Sequence, residues 1–276
     1  MSESNKTQID LWDGRIGEKW VEHQANLDAM LSHVTAEMKL RAGNIANLRV
    51  LDIGCGTGET CIQWLEGGAI VTGVDISSPM LALAEKRTHG KATLIKADAS
   101  TWVSDTPFDL AVSQFGVMFF DNPEAAFKNI AKNIRENGRL LFACWCPPSE
   151  NPWATTPINS IRTLLPDMPA PDPQAPGPFA LADQTRLHNI LEHAGFANIS
   201  IEFFNFPVCM AREGGVEAAA QFATQVGPAG WALADASDEL RAKAIERIKA
   251  ALKPYEKKGV VTLSGSAWIV EVMRAD

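Results

Sequence analysis

Residues 50–58 read VLDIGCGTG, an apolar run that breaks into a turn carrying glycine at positions 54, 56 and 58. Glycine in a strand interior costs conformational entropy and packs nothing, so three at alternating positions need a geometric reason. The apolar run reads as a buried strand, and the segment after it, about 58–66, as a helix. A strand-to-helix turn of this kind lies outside the carboxyl end of a strand, where open α/β sheets bind ligands. Glycine there admits tight dihedrals and lets a ligand approach the main chain, while the N–H groups opening the helix attract negative charge.

Working outward, short apolar runs alternate with helical stretches. Strands are expected at 48–54, 69–75, 92–97, 108–114 and 138–146, with helices at about 58–66, 78–88 and 122–136. Runs apolar on both alternations suit parallel strands covered on both faces. The repeated order implies right-handed crossovers and a doubly wound, Rossmann-like α/β sheet. Upstream, 10–42 looks helical, with Leu27, Met30, Leu31, Val34 and Met38 on one stripe. Downstream, ten of the sixteen prolines fall between Pro147 and Pro178. That density argues against helix or central strand. The segment reads either as a surface connector or as a loop bordering a pocket.

Regular structure resumes with a helix at 183–194, a strand near 198–208, helices at 214–226 and 237–255, and a last strand at 261–273. Ser237 is a candidate N-cap, with Asp238 and Glu239 in the first turn. Asn122 and Pro123 similarly suit the start of the helix they precede. The expected organisation is a helical cap over 1–45, a nucleotide-binding core over 46–147, a proline-rich loop over 148–182, and a completing part over 183–276. The last carries lid helices (214–255) and brings the sheet to seven mostly parallel strands.

Bulk composition narrows the partners. The 276 residues are 46% hydrophobic and 21% charged, with net charge −8, enough for a sizeable core. An acidic surface without a basic cluster disfavours nucleic acid and anionic membranes. No run approaches the ~20 apolar residues that span a bilayer. The polar start MSESNKTQID lacks the apolar stretch of a signal peptide. Five cysteines without metal-type spacing read as reduced packing residues. The expectation is a cytoplasmic protein, monomeric or homodimeric, acting on small molecules.

The glycine turn fits neither common nucleotide signature. A dinucleotide fingerprint needs glycine where Glu59 stands, and no Gly-Lys-Ser/Thr follows as in a P-loop. Taken together, VLDIGCGTG, VTGVDIS (71–77) and ADA (97–99), in this order over roughly 48–146, resemble the class I S-adenosylmethionine-dependent methyltransferases. SQFGVMFFDNPEAAF (113–127) and ACWCPPSENPW (143–153) resemble bacterial members acting on small molecules.

The resemblance implies S-adenosylmethionine as cofactor. Its methionyl part would pass Gly54, Cys55, Gly56, Thr57 and Gly58, with Gln114 and Trp20 nearby. Asp75 would accept from the ribose hydroxyls, and Ile76 and Met80 would sandwich the adenine. Asp98 would accept from the adenine amino group, with Ala99 offering its N–H. Asp75 and Asp98 read alone are also ordinary strand-end turn residues. Trp12, Phe115, Met118, Phe119, Trp145 and Trp153 are candidates for an apolar acceptor wall, although each type is commonly core. His23 is a candidate general base for a hydroxyl acceptor. Gln114-Phe115 stands where a metal-assisted enzyme needs an acidic ligand, so no metal is expected. The implied reaction is methyl transfer to O, N or C of a small, apolar or aromatic metabolite. Cofactor binding without transfer, and nicotinamide-dependent oxidoreduction, are the competing readings.

Overall fold

The computed structural model describes residues 3–169 and 172–275. The outermost residues of the expected 1–45 and 183–276 segments, and residues 170–171 of the proline-rich stretch, lie outside the described residues. Three helices come first: α1 (Glu3–Trp12), α2 (Arg15–Glu22) and α3 (Gln24–Ala42). The core follows as β1 (Arg49–Ile53), α4 (Glu59–Glu66), β2 (Ile70–Asp75), α5 (Ser78–Thr88), β3 (Thr93–Lys96), β4 (Phe108–Gln114), α6 (Pro123–Lys132) and β5 (Ile134–Trp145). The remainder is α7 (Pro152–Ile161), α8 (Gln184–His193), β6 (Phe196–Ala211), α9 (Gly215–Ala223), α10 (Gly227–Ala232), α11 (Asp238–Leu252), β7 (Glu256–Lys257) and β8 (Val260–Arg274).

Seven strands lie in the order β3-β2-β1-β4-β5-β8-β6. Pairing is parallel from β3 through β5, and β8 runs antiparallel to both β5 and β6. An eighth strand, the two-residue β7, folds back on β8 as a short hairpin. β1 is buried along almost its whole length because helices cover both faces of the sheet centre. The α3 stripe of Leu27, Met30, Leu31, Val34 and Met38 is buried as its 3.6-residue spacing requires.

Four boundaries differ from the sequence expectation, each for a physical reason. The helix expected over 122–136 stops at Lys132, because the Asn133 amide leaves the helix to donate to Trp102 O and accept from Ser104 N–H. β5 begins at once, with a register shift before Arg139. The proline-rich segment is not loop throughout: α7 forms, with Pro152 at its first turn and Pro157 inside. Packing on α10, α11 and β8 sustains the helix despite the lost N–H donor. The segment 214–255 holds three helices, since α10 forms between the two expected there. Ser237 Oγ accepts from Leu240 N–H and Asn122 Oδ1 from Ala125 N–H, as the N-cap readings required. Among the described residues, no helix is long and apolar enough to cross a membrane.

Candidate active site

The strand order reverses at β1, which pairs with β2 on one side and β4 on the other. At such a switch point the loops leaving the carboxyl ends diverge and open a crevice. The loops here are Gly54–Gly58 after β1 and Phe115–Gly116 after β4. All three glycines of the first loop have positive φ (67°, 53° and 85°), but they serve different neighbours. A Cβ on Gly54 would stand 2.9 Å from Gly116 Cα, so the two loops meet backbone to backbone. A Cβ on Gly58 would stand 2.9 Å from Ala84 Cβ on α5. Gly56 faces open space, its nearest neighbour being Met80 Sδ at 3.8 Å.

A cavity occupies the crevice, and Gly54, Gly56, Asp75, Ile76, Met80, Asp98, Ala99, Gln114 and Trp20 line it. Cys55, Thr57 and Gly58 of the same turn are outside that lining. Cys55 is buried, and its Sγ packs with Cys61 Sγ where glycine at position 73 leaves room on β2. Thr57 is turned toward α5, where its carbonyl and hydroxyl oxygens accept from Arg87 at 2.9 and 3.2 Å.

Asp75 ends β2 as a buried carboxylate. Oδ2 accepts from Gly56 N–H at 2.8 Å and Oδ1 from Ser77 N–H at 2.9 Å. Burial pushes its pKa up, and the backbone donors of Ser77, Gly56 and Ile76 partly offset this. Each oxygen has a further lone pair for a hydroxyl donor. Asp98 Oδ1 accepts from Ser100 N–H, and the Ala99 carbonyl accepts from Asn129. The turn without side chains at Gly54 and Gly56, the carboxylate beyond it and the apolar faces of Ile76 and Met80 fit the aminoacyl, diol and planar parts of S-adenosylmethionine.

The helical cap is fastened over this end. Asp13 accepts from Ser78 N–H at 2.6 Å and pairs with Lys96 at 2.7 Å. Lys96 and the Ser78 donors together hold its carboxyl down at about 2. Arg87 Nη2 joins Asp28 of α3 to Glu59 of α4, both at 2.7 Å. Gln114 Oε1 accepts from Thr35 Oγ1 at 2.9 Å, tying α3 to the end of β4.

The other end of the cavity is aromatic. Trp12, Phe115, Met118, Phe119, Trp145 and Trp153, the candidates for an acceptor wall, are brought together in its lining. Phe115 and Trp145 stack with centroids 4.2 Å apart, Trp153 follows at 4.7 Å from Trp145, and Trp12 meets Phe119 edge-on at 4.9 Å. Phe115 is held at φ 62°, a left-handed conformation uncommon for a bulky residue. Sequence reasoning missed Phe120, Pro178, Val226, Pro228 and Trp231, which also line the cavity. Trp231 sits in GPAGWA, between the helices expected at 214–226 and 237–255. Leu27, Met30 and Leu31 also face the cavity, though their helical stripe signalled only burial.

His23 is not in the lining. It occupies the junction of α2 and α3, its Nε2 3.0 Å from Gln225 Oε1 and its ring edge-on to Phe222. Asp75 and Asp98 supply the ionisable side chains of the cavity; among the described residues no His, Lys, Arg, Cys or Tyr lines it.

A methyltransferase-domain family profile matches residues 51–142. The chain is 29% identical over 143 residues to the malonyl-[acyl-carrier protein] O-methyltransferase of Pseudescherichia vulneris, covering 51% of this chain and 55% of that one. It is 24% identical over 172 residues to the demethylmenaquinone methyltransferase of Renibacterium salmoninarum, covering 59% and 72%. The chain spans about half the length of several curated relatives it matches. In fold it is similar to the magnesium protoporphyrin IX methyltransferase of Synechocystis, solved with bound S-adenosylhomocysteine: TM-score 0.56, 15% identity, 99% of this chain and 100% of that one. The match places a methyltransferase domain over residues 51–142, and the sheet order of the chain agrees with it.

Proposed function

We propose that this protein transfers a methyl group from S-adenosylmethionine to an O, N or C atom of a small, apolar or aromatic acceptor. The observation that carries the reading is the division of one cavity into two chemistries. Glycine backbone and two carboxylates line one end, and stacked aromatic side chains line the other.

The cofactor, when bound, supplies a methyl group already activated on a sulfonium centre. What remains for the protein is to hold, orient and dry the reactants. In this reading Asp75 anchors the ribose hydroxyls, Ile76 and Met80 hold the adenine, Asp98 accepts from its amino group, and Gly54 and Gly56 leave space for the aminoacyl portion. Phe115 and Trp145 give a flat acceptor a stacking surface. Trp12 and Trp20, on the fastened cap, exclude water.

Of the two curated relatives described above, one acts on a malonyl group and one on demethylmenaquinone, and the lining supports the second kind. A malonyl carboxylate needs a cation or several donors to bind it when buried, and among the described residues the lining has neither Lys nor Arg. A flat, uncharged ring needs only the surface that Phe115, Trp145 and Trp153 provide. The test is calorimetric titration with S-adenosylmethionine, S-adenosylhomocysteine and NADH, followed by an acceptor screen read by S-adenosylhomocysteine formation. Micromolar binding of the two adenosyl ligands and turnover on a phenolic, quinol or heteroaromatic acceptor support the proposal. Binding without turnover across the panel favours a non-transferring protein, and NADH binding alone overturns the cofactor assignment.

A further inference from the structure

Behind the aromatic wall lies a second cavity whose chemistry differs from the first. Trp20, Val226 and Trp231 line both, so the cavities share one partition made by α2 and α10. Three cations line the second cavity: Arg15 and Lys19 of α2 and Arg241 of α11. Glu22 is the carboxylate of that lining, and Asp235, nearly fully exposed, pairs with Arg15 at 3.3 Å. The region is thus net positive in a chain of net charge −8.

Arg241 distinguishes this from an ordinary solvated face. Its guanidinium donates to the Thr224 and Leu233 carbonyl oxygens at 3.2 and 2.8 Å. Among the described residues it has no carboxylate partner. A half-buried guanidinium neutralised only by carbonyl dipoles is a ready partner for an anion, which it can take bidentately. Lys19 is engaged by Glu22 at 2.6 Å and by Gln225 Oε1 at 3.1 Å, and so reaches over the same space.

We propose that this second cavity binds an anionic group, carboxylate or phosphate, on the tail of the methyl acceptor. The substrate class is then an amphipathic molecule whose neutral aromatic end enters the wall of Phe115 and Trp145. Its linker passes the partition of Trp20, Val226 and Trp231, and its acidic end meets Arg241 and Arg15. This rests on the acceptor site proposed above. It extends that reading by assigning a charge to the part of the substrate that does not react, which the reaction cavity itself cannot accept.

The test titrates ω-phenylalkanoic acids of increasing chain length, and their primary amides, into wild-type protein with and without saturating S-adenosylhomocysteine. At some chain length the acid binds at least about tenfold more tightly than its amide. That preference falls at least about threefold in Arg15→Gln and Lys19→Gln, and disappears in Arg241→Gln. Arg15 is an exposed side chain, so its variant reads the charge effect even if the Arg241 variant unfolds. Equal binding of acid and amide at every length, no binding of either series, or an acid preference unchanged in all three variants overturns the proposal. Free acetate or phosphate competing as strongly as the tethered acid shows an independent anion site and overturns the tail assignment. Affinity for S-adenosylhomocysteine, measured separately, stays at the wild-type value in every variant that folds. Its absence from the wild type defeats the methyltransferase reading and leaves the comparison of acid and amide to be judged by itself.

Discussion

Gly54 and Gly116 touch backbone to backbone across the switch point, and neither has room for a side chain. A Cβ on Gly54 would lie 2.9 Å from Gly116 Cα, and one on Gly116 would lie 2.7 Å from Ile53 O. Gly54 also holds φ at 67°, which costs an L-residue about 1–2 kcal/mol. Gly54→Ala is therefore expected to weaken S-adenosylhomocysteine binding by at least about tenfold. It should also destabilise the fold by about 1–3 kcal/mol through forced backbone shifts. Gly116→Ala, whose φ of −83° is permitted, carries the steric part alone and should show the smaller stability loss. Calorimetry and denaturant melts of the pair check this, and equal losses would mean that the positive φ contributes nothing.

Asp75 gives a second prediction, because both its oxygens already accept from backbone N–H groups. An amide there must turn its NH2 toward Gly56 or Ser77 and set donor against donor. Leaving one buried donor unpaired costs about 1–3 kcal/mol. Asp75→Asn should bind S-adenosylhomocysteine about 10- to 100-fold more weakly while keeping its far-ultraviolet spectrum. Burial raises the Asp75 pKa, so in the wild type the carboxylate is lost on acidification above the usual carboxylate range. Affinity should fall as pH falls through that raised range, and the variant should lack this part of the dependence.

The sequence carried the sheet and the glycine end of the cavity more clearly than it carried the aromatic end. Parallel strands leave long apolar runs and the switch-point turn leaves its glycines, so β1 to β5 were readable from local pattern, whereas the role given to Asp75 came only with the family resemblance. Trp231 and Pro228 were not, because their place depends on α10 folding back against α7, a contact between distant segments. α7 itself was hidden by its prolines, whose helix-breaking tendency is local while the packing that overrides it is not. Cys55, Thr57 and Gly58 show the converse limit. A motif states which residues form a turn, whereas the direction each side chain takes depends on Arg87 and Ala84 on a different helix.

Asp52 supplies a prediction about stability. The carboxyl lies fully buried in β1, with Oδ2 accepting from Thr60 Oγ1 at 2.5 Å and from the Cys61 thiol at 3.4 Å. Oδ1 has no hydrogen-bond partner. Burial pushes the pKa up from 3.8 to about 6. The native state therefore holds this proton where the unfolded chain has released it, and stability declines as pH rises from about 4 to 6. The shift corresponds to about 3 kcal/mol at most. Asp52→Asn keeps an acceptor for Thr60 and has no charge to bury. Its stability relative to wild type should rise between pH 4.5 and pH 7.5, as measured by urea melts at both values. A constant difference would show that Asp52 titrates normally.

His23 decides how a hydroxyl acceptor would lose its proton. A general base contributes about 10²–10⁴ in rate and must reach the proton directly or through one water. The His23 ring is instead engaged by Gln225 and Phe222 outside the cavity lining, and among the described residues the aromatic end offers no ionisable side chain. In the proposed reaction the acceptor then ionises by its own acidity or transfers its proton to solvent. His23→Gln should accordingly keep the methylation rate within about threefold of wild type, far short of the loss of a base. The alkaline rise of the rate should follow the acidity of the acceptor when acceptors of graded acidity are compared. This is measured as S-adenosylhomocysteine release between pH 6 and 9 with whichever acceptors the screen yields. A hundredfold loss in the variant, or an inflection that stays fixed as acceptor acidity changes, would return the proton to an enzyme base and require His23 to swing inward during turnover.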